Sequence, residues 1–410
     1  MTGGLRVVIA SRLFPPEVSA GAFRLGALAR ELAERGADVA VLTTTPPAHA
    51  PKTPDARGVD VRRWPVLRDE GGNVRGYVQY MSFDLPLLGR LLATRFDVAV
   101  AESPPTTGLV ATVIAGLKRR PLVYYAADVW TDGVISMGAP SVIVSVMRRM
   151  ERAVLKRAGI IISVSAEVTE RLVLLGADPE HVVTVGNGID TDIFTPDVEP
   201  ASDETYFVYT GTMSEWQQPD IFIRAFAQIA ESHPGVRLRF FGQGAVESQL
   251  KQVAQELVPG RVEFGGVVSP AESTSWIRGA AASLVSIVPG IGYDFAKPTK
   301  TYAAAATGTP VLFAGPDAGA ELVRSGQLGF AVGFTPDAVA TAMQQLLAQA
   351  KDGTTERMRP HRASWAQQNV SLRAVAQRVA RAVTQAASTR ARKLEADSRL
   401  ASGGPERPTQ

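Results

Sequence analysis

The sequence predicts an α/β protein built as two doubly wound domains in tandem, and three observations carry that prediction. Its 410 residues exceed one ordinary domain and suit two of common size. Short apolar runs alternate with amphipathic stretches of helical period along most of the chain. The alternation breaks at the proline-marked segment 194–200 and then restarts with the same grammar. With 45% hydrophobic and 20% charged residues, each half can bury a core of its own.

In the first half, Leu5 to Ala10 reads as a strand. The following loop, Phe14 to Gly21, contains prolines that forbid regular structure. Phe23, Leu25, Leu28 and Leu32 then fall on one helical face, Gly36 ends the helix, and Asp38 to Thr43 is the next strand. Strand, helix and strand in immediate succession make a βαβ unit, and hence a parallel sheet. Strands Asp97 to Ala101, Leu122 to Ala126, Gly159 to Val164 and His181 to Val185 follow. Helices Thr107 to Leu117, Ser141 to Ala158 and Ala166 to Leu175 separate them.

The second half runs through strands Tyr206 to Thr210, Arg237 to Phe241, Arg261 to Phe264, Ala282 to Val288 and Pro310 to Phe313. Its helices are Ile221 to Glu231, Val246 to Leu257, one opened by the capping box Ser269-Pro-Ala-Glu272, and Thr299 to Thr307. The expected boundaries are 1–195 for the first domain and 196–370 for the second. A C-terminal helix is expected over 371–387. The Ser/Gly/Pro-containing, charged stretch 388–410 is expected to be a disordered tail.

Composition excludes several chemistries. The absence of cysteine removes disulfides, thiolate metal sites and cysteine nucleophiles, and favours a cytoplasmic protein. The apolar run Gly108 to Leu117 falls well short of the roughly 20 residues that span a bilayer. Val7 to Ala10 is too short for the core of a signal peptide. The formal charge of +3 is uneven: from Glu356 onward eleven basic residues face four acidic ones, and the rest of the chain carries 32 against 36. The body therefore lacks the basic surface that nucleic-acid binding needs.

The four histidines show no metal-ligand spacing, Asp190-Thr-Asp192 lies at an interdomain turn, and no metal is expected. Gly242-Gln-Gly244 with Glu263 imitates a dinucleotide fingerprint, but Glu247 stands where its third glycine belongs. Helix Ser141 to Ala158 puts Ile143, Met147, Met150 and Val154 on one face and Arg148, Arg149, Arg152 and Lys156 on the other. It reads either as a core helix with a solvated basic face or as a peripheral contact, through 141–158, with the inner face of an anionic membrane.

In doubly wound sheets, ligands sit where loops at the carboxyl ends of strands meet helix N-termini. The segments at those places are Phe14-Pro-Pro-Glu17 through Gly21, Ala101-Glu-Ser-Pro-Pro105, Asp128-Val-Trp130 and Asn187-Gly-Ile-Asp190. The second half adds Tyr209-Thr-Gly211, Phe241-Gly-Gln-Gly244, Phe264-Gly-Gly266, and Pro298-Thr-Lys-Thr-Tyr302 followed by Gly308-Thr-Pro310. In this order and spacing the chain, from about Arg6 to Gln385, resembles the family-4 retaining glycosyltransferases.

The resemblance implies the GT-B fold, two Rossmann-like domains facing a central cleft. It implies transfer of a sugar from a nucleoside-diphosphate donor to a glycan, glycolipid or small-molecule acceptor, with retention and without an obligatory metal. It places the donor at Gly21, Gly211, Thr212, Gly244, Phe264, Gly265, Lys297 and Lys300, and the acceptor at Glu17 and Trp130. Lys300 and Asp128 are the candidate catalytic pair.

Physical chemistry agrees with several of these assignments. A diphosphate needs backbone N–H groups, helix N-termini or cations. Gly21 opens a helix where an amide can approach a phosphate closely, although an ordinary helix-entry glycine would look the same. Lys300 lies in the first turn of a helix, where a cation opposes the dipole unless an anion compensates for it. Asp128 ends a strand, where it can orient sugar hydroxyls or simply cap the next helix.

The chain also departs from the family pattern. The family's two glutamates fall here on Phe295 and Ala303, and Pro298-Thr-Lys300 matches a subgroup with Pro-x-Lys in place of the full motif. A hydrogen bond from a ribose hydroxyl to a charged group contributes roughly 1.5–3 kcal/mol. Asp294 or Glu321 must supply that grip, or the donor is held differently. The loop 212–219 lacks the family's arginine and lysine, offering Ser214, Gln217 and Gln218, and Ala127 stands where many relatives have histidine. These losses leave two rival readings open, a non-catalytic GT-B sugar- or partner-binding protein and a sugar-nucleotide epimerase.

Overall fold

The computed structural model describes residues 4–17, 19–47, 50, 54–69, 74, 76–136, 138–291, 293–294 and 296–402, with side chains through 389 apart from Ser136. Phe295 and the last part of the tail, 403–410, lie outside the described residues. The chain divides into two compact units, residues 1–187 with 375–410, and residues 188–374.

The sheet of unit 1 contains β1 (Arg6–Ala10), β2 (Asp38–Thr44), β3 (Val59–Trp64), β4 (Val98–Glu102), β5 (Leu122–Ala126), β6 (Ile160–Ser163) and β7 (Val182–Thr184). All strands are parallel, in the order β3-β2-β1-β4-β5-β6-β7. Parallel strands covered on both faces read as unbroken apolar runs, and β4 and β5 are buried at every residue. Successive side chains point to opposite faces. Val7 and Ile9 accordingly pack with α1 (Ala20–Glu34), whereas Val8 and Ala10 pack with α2 (Tyr77–Ala93) and α3 (Pro105–Leu117). Two further helices, α4 (Trp130–Ser136) and α5 (Ser141–Leu155), follow β5, and α6 (Ala166–Leu174) follows β6.

Unit 2 repeats the plan. Its strands are β8 (Thr205–Thr210), β9 (Val236–Phe241), β10 (Val262–Gly266), β11 (Ala282–Ser286), β12 (Val311–Ala314) and β13 (Gly329–Val332), parallel and in the order β10-β9-β8-β11-β12-β13. The helices following them are α7 (Asp220–Ile229), α8 (Glu247–Leu257), α9 (Pro270–Gly279), α10 (Thr299–Ala306), α11 (Asp317–Ser325) and α12 (Pro336–Lys351). Two short helices, α13 (Thr354–Arg357) and α14 (Arg359–Asn369), lead to α15 (Leu372–Ser402).

The boundary falls at 187/188, not 195/196. Ile189 donates to the Val370 carbonyl and accepts from the Leu372 amide, both at 2.8 Å, and Phe194 packs on an apolar cluster of unit 2. These contacts tie the segment 188–194 to the second unit. The last helix corrects the sequence reading twice. It runs through Ser402 instead of ending at 387, consistent with the Ala-, Arg-, Lys- and Leu-rich stretch that continues it. From Val375 it belongs to unit 1, where Val375, Val379 and Val383 are buried against the core beside α1. No described helix is long and apolar enough to cross a membrane.

Candidate active site

In unit 2 the strand order reverses between β8 and β11, so the loops after these strands flank the crevice where doubly wound sheets take ligands. Helix α10 rises from that point. Its N-cap is Pro298, with no side-chain cap, and its first turn carries no acidic residue. The other helices that follow strands here, α7, α8, α9, α11 and α12, hold Asp220, Glu247, Glu272, Asp317 and Asp337 in their first turns. The positive end of α10 is thus left without the acidic group its neighbours carry.

Lys300 sits in that first turn. Its Nζ lies 3.4 Å from the Thr212 carbonyl oxygen and 4.7 Å from the centroid of the Tyr209 ring. Burial is the cause that lowers its pKa, to about 8. An ammonium group drawn out of water beside a helix N-terminus is stabilised by an anion.

The loops around Lys300 are laced together through their backbones. Gly211 donates to the Phe241 carbonyl at 2.8 Å, Met213 to Gln243 at 3.0 Å, and Gly242 to Gly266 at 2.7 Å. Such close approach demands glycine. Gly211 has φ of 100°, and a Cβ there would stand 2.7 Å from the Lys300 Nζ. At Gly244 a Cβ would be driven into the Met213 carbonyl. Gly265 lies on the ring of Phe241, while the Phe264 ring stacks on Phe240 at 5.2 Å. Phe264 therefore offers the edge its backbone and turns its ring toward the core.

Gly211, Thr212, Gly244, Phe264, Gly265 and Lys300 thus gather at one edge of the sheet. Lys297 is exposed on the loop entering α10, and Glu321 is exposed on α11. Asp294 accepts from the Gly290 amide at 2.8 Å and so closes its own loop. Ser214 and Gln217 are buried, both bonded within the loop: Gln217 Oε1 lies 2.7 Å from the Tyr209 hydroxyl and 3.3 Å from Ser214 Oγ. They support Tyr209 beneath Lys300 in place of facing a ligand, contrary to the sequence expectation.

In unit 1 the reversal lies between β1 and β4. Gly21 is buried in the first turn of α1, facing Glu102 at the end of β4: a Cβ on Gly21 would stand 2.7 Å from Glu102 Oε1. Ser11 Oγ donates to Glu102 at 2.7 Å, and Arg24 lies 3.5 Å away. Burial raises the pKa of Glu102, while Arg24 and Ser11 oppose that shift. Glu17 is committed to an ion pair with Arg68 at 2.7 Å and accepts from Thr44 at 3.1 Å.

Asp128 is exposed just beyond β5, close enough for its charge to act on Glu102. The backbone N–H groups of Trp130 and Thr131, at the start of α4, both donate to Glu151 at 3.0 Å. The Trp130 ring meets Tyr80 edge to face at 5.7 Å, and the Arg12 guanidinium lies 4.0 Å over the Tyr80 ring. Arg12 Nε and Trp130 Nε1 are buried without hydrogen-bond partners. Asp128, Trp130 and Gly21 therefore share a neighbourhood with Glu102, Arg12 and Tyr80, three residues the sequence reading did not single out. For Glu102 the usable signal is a charged residue ending an otherwise apolar strand, and for Arg12 a charged residue two positions beyond one; Tyr80, in α2, carries no such signal. Among the described residues, no group of three or more His, Asp or Glu side chains could hold a metal ion.

Two families match the chain in succession: Glycosyl transferase 4-like domain over residues 20–188, and Glycosyl transferases group 1 over residues 204–349. Among similar proteins, the D-inositol 3-phosphate glycosyltransferase 2 of Catenulispora acidiphila is 29% identical over 46% of this chain and 47% of its own length. The D-inositol 3-phosphate glycosyltransferase of Mycolicibacterium smegmatis is 29% identical over 79% of this chain and 74% of its own. The chain thus spans about half the length of the first of these relatives and three quarters of the second. Among solved structures, HepE of Anabaena in complex with UDP and glucose superposes with a TM-score of 0.59 at 17% identity, covering 93% of this chain and 100% of that one. With both halves matched in order and the two parallel-sheet units in place, the chain belongs to glycosyltransferase family 4 and has the GT-B fold.

Proposed function

We propose that this protein transfers a sugar from a nucleoside-diphosphate donor to an acceptor hydroxyl, with retention of configuration and without an obligatory metal. The observation that carries the reading is Lys300, a desolvated cation at the uncapped N-terminus of α10. The diphosphate would lie against that N-terminus, the Lys300 ammonium and the backbone of Gly211 and Thr212. The nucleobase would meet backbone groups of Phe264 and Gly265, with Gly244 leaving room beside them. HepE, solved with UDP and glucose, has a similar fold and supports a nucleotide-sugar donor.

The chemistry needs no protein nucleophile. As the bond from the anomeric carbon to the phosphate oxygen breaks, negative charge grows on the leaving diphosphate, and Lys300 with the helix N-terminus stabilises it. The acceptor oxygen bonds to the same face of that carbon, and its proton passes to the departing phosphate. Lys297, exposed on the entering loop, adds a solvent-screened charge. The Pro298-Thr-Lys300 sequence fits a subgroup that has replaced the carboxylate pair. Asp128 and Trp130 of unit 1 would orient the acceptor.

The surroundings of a lipid-linked acceptor would suit α5. Its apolar residues Met147 and Val154 are buried in unit 1, while Arg148, Arg149, Arg152 and Lys156 are exposed with Val142 and Val146. That basic face fits peripheral contact with an anionic, cytoplasmic membrane surface.

Turnover tests the reading. Incubation with UDP, GDP, dTDP and CDP sugars, with and without a mixed acceptor extract, should consume one donor class only when acceptor is present. Consumption without acceptor would indicate an epimerase. Donor binding without consumption under either condition would indicate a non-catalytic sugar-binding protein.

A further inference from the structure

At the amino edge of the unit 1 sheet, a cavity of about 580 Å³ opens where β5, β6 and β7 begin. That volume falls within the range of about 300–1,000 Å³ common to small-molecule sites. The strands are parallel, so the carboxyl edge with Glu102 and Asp128 lies roughly 13 Å away, along the five residues of β5. Small residues leave the space open. α3 contributes Ala115 and Gly116, where a Cβ on Gly116 would meet nothing within 4 Å, and Gly159 precedes β6. α15, which packs on the opposite face of the sheet from α3, supplies Gln385, Ala386 and Thr389.

Two arginines of the lining supply charge. Arg120 lies in the turn after α3 and Arg157 in the turn after α5, each just before the strand that follows. Arg120 stands 3.4 Å from Asp97, a carboxylate already held by Arg6 at 2.8 and 3.0 Å. One acid thus serves two guanidinium groups. Arg157 is exposed, makes no ion pair among the described residues, and only reaches back to the Ala153 carbonyl at 3.5 Å. Glu180, exposed, is the one acid among the described lining residues, and His181 next to it lies 4.0 Å from Asp178. The lining therefore carries a surplus of positive charge beside the buried Leu122, Ile160 and Ala386.

We infer that this cavity binds a phosphate monoester with a compact apolar body, and that the bound molecule holds α15 against unit 1. A guanidinium presents a planar fork of donors, and the three terminal oxygens of a phosphate can take two such forks, where a carboxylate has two oxygens. The apolar body would lie against Leu122, Ile160 and Ala386, and Gln385 and Thr389 would hydrogen-bond to the ligand from α15. α15 rejoins unit 1 from Val375, after unit 2 is complete. A ligand here therefore acts on the returning segment of the chain, on the edge away from Glu102 and Asp128.

Amide hydrogen exchange on the full chain tests this, with phenyl phosphate as the probe and benzoate and inorganic phosphate for comparison. Phenyl phosphate should slow exchange in 157–161 and 385–389, at a concentration at least tenfold lower than benzoate or inorganic phosphate needs. Arg120→Gln and Arg157→Gln together should raise the phenyl phosphate concentration required at least tenfold. If the double variant does not fold, Arg157→Gln alone, which alters an exposed side chain, should raise it at least threefold. No protection of either segment would overturn the inference, as would equal potency of benzoate or inorganic phosphate, or undiminished protection in the variants. Protection of 157–161 without 385–389 would overturn it as well, because α15 would then take no part in binding.

Discussion

The Lys300 ammonium lies over the face of the Tyr209 ring, 4.7 Å from its centroid, while the Tyr209 hydroxyl is held 2.7 Å from Gln217 Oε1. The ring is thereby fixed as a platform that draws the cation out of water without neutralising it. Burial raises the pKa of Tyr209 and lowers that of Lys300 to about 8, so the free protein pays to keep Lys300 charged. Between about pH 8 and 10.5 the unfolded chain retains the Lys300 proton and the folded protein has released it. Stability contributed by this group therefore rises with pH across that window. Denaturant unfolding of the ligand-free protein should show the rise, and Lys300→Met should flatten it.

The same linkage predicts proton uptake on anion binding. A phosphate beside Lys300 raises its pKa, so near pH 8.5 binding should draw protons from the buffer. Calorimetry in two buffers of different ionisation enthalpy measures this. Equal heats in both buffers would mean that the anion binds away from Lys300.

Gly244→Ala should disturb the donor site through backbone packing alone. The added methyl would collide with the Met213 carbonyl, next to the loop that carries Thr212. Overpacking of this kind costs about 1–3 kcal/mol. A lowered unfolding midpoint together with weaker nucleotide binding is the expected result of a denaturant titration and a binding isotherm.

Glu151→Ala should loosen the start of α4. It would leave the Trp130 and Thr131 amides and the Thr131 hydroxyl without their common acceptor. Leaving buried donors unsatisfied costs about 1–3 kcal/mol. Because Trp130 leads that helix, its fluorescence should change with the loss of stability.

The exposed candidates should matter less. Lys297→Ala and Glu321→Ala alter solvated side chains, whose interactions are typically worth about 0.2–1 kcal/mol. Donor KM should shift by less than about fivefold in either variant. A larger loss in Glu321→Ala would show that Glu321 grips the ribose.

Much of the fold was legible because apolar runs and turn residues report parallel strands directly. β1, β5 and β11 lie within segments read as strands, and β4, β8 and β12 overrun theirs by one residue each. β3, α2, α4 and the elements between β12 and the last helix, α11, β13, α12, α13 and α14, are absent from the sequence reading, and β3 and α2 show why. β3 (Val59–Trp64) alternates half-buried and exposed residues at the edge of its sheet, and α2 carries Pro86 inside it and exposes Val78, Leu85 and Leu92. Neither pattern stands out from a loop or a core segment. The last helix was found but assigned to no unit, since its return to β1 and β5 is a long-range contact that no local pattern records.

The donor side of the site was legible because phosphate binding uses local features, glycines that let backbones approach and a cation placed against a helix dipole. The acceptor side was less so. Glu17 reads as a ligand in its loop and is paired with Arg68, 51 residues away. Gly21 reads as a phosphate contact and faces Glu102 from another strand. Arg68 and Glu102 come from distant elements, so only the folded chain shows that they stand beside these residues.

Calorimetric titration of the wild type and Lys300→Ala with UDP, GDP, dTDP and CDP at pH 7 tests the central claim most directly. One nucleotide should bind the wild type, and the variant should bind it roughly ten- to hundredfold more weakly, as expected for loss of a charged hydrogen bond of about 1.5–3 kcal/mol, while unfolding at the same temperature or higher. Equal affinity in the two proteins would contradict the account and place the donor's phosphates away from the N-terminus of α10.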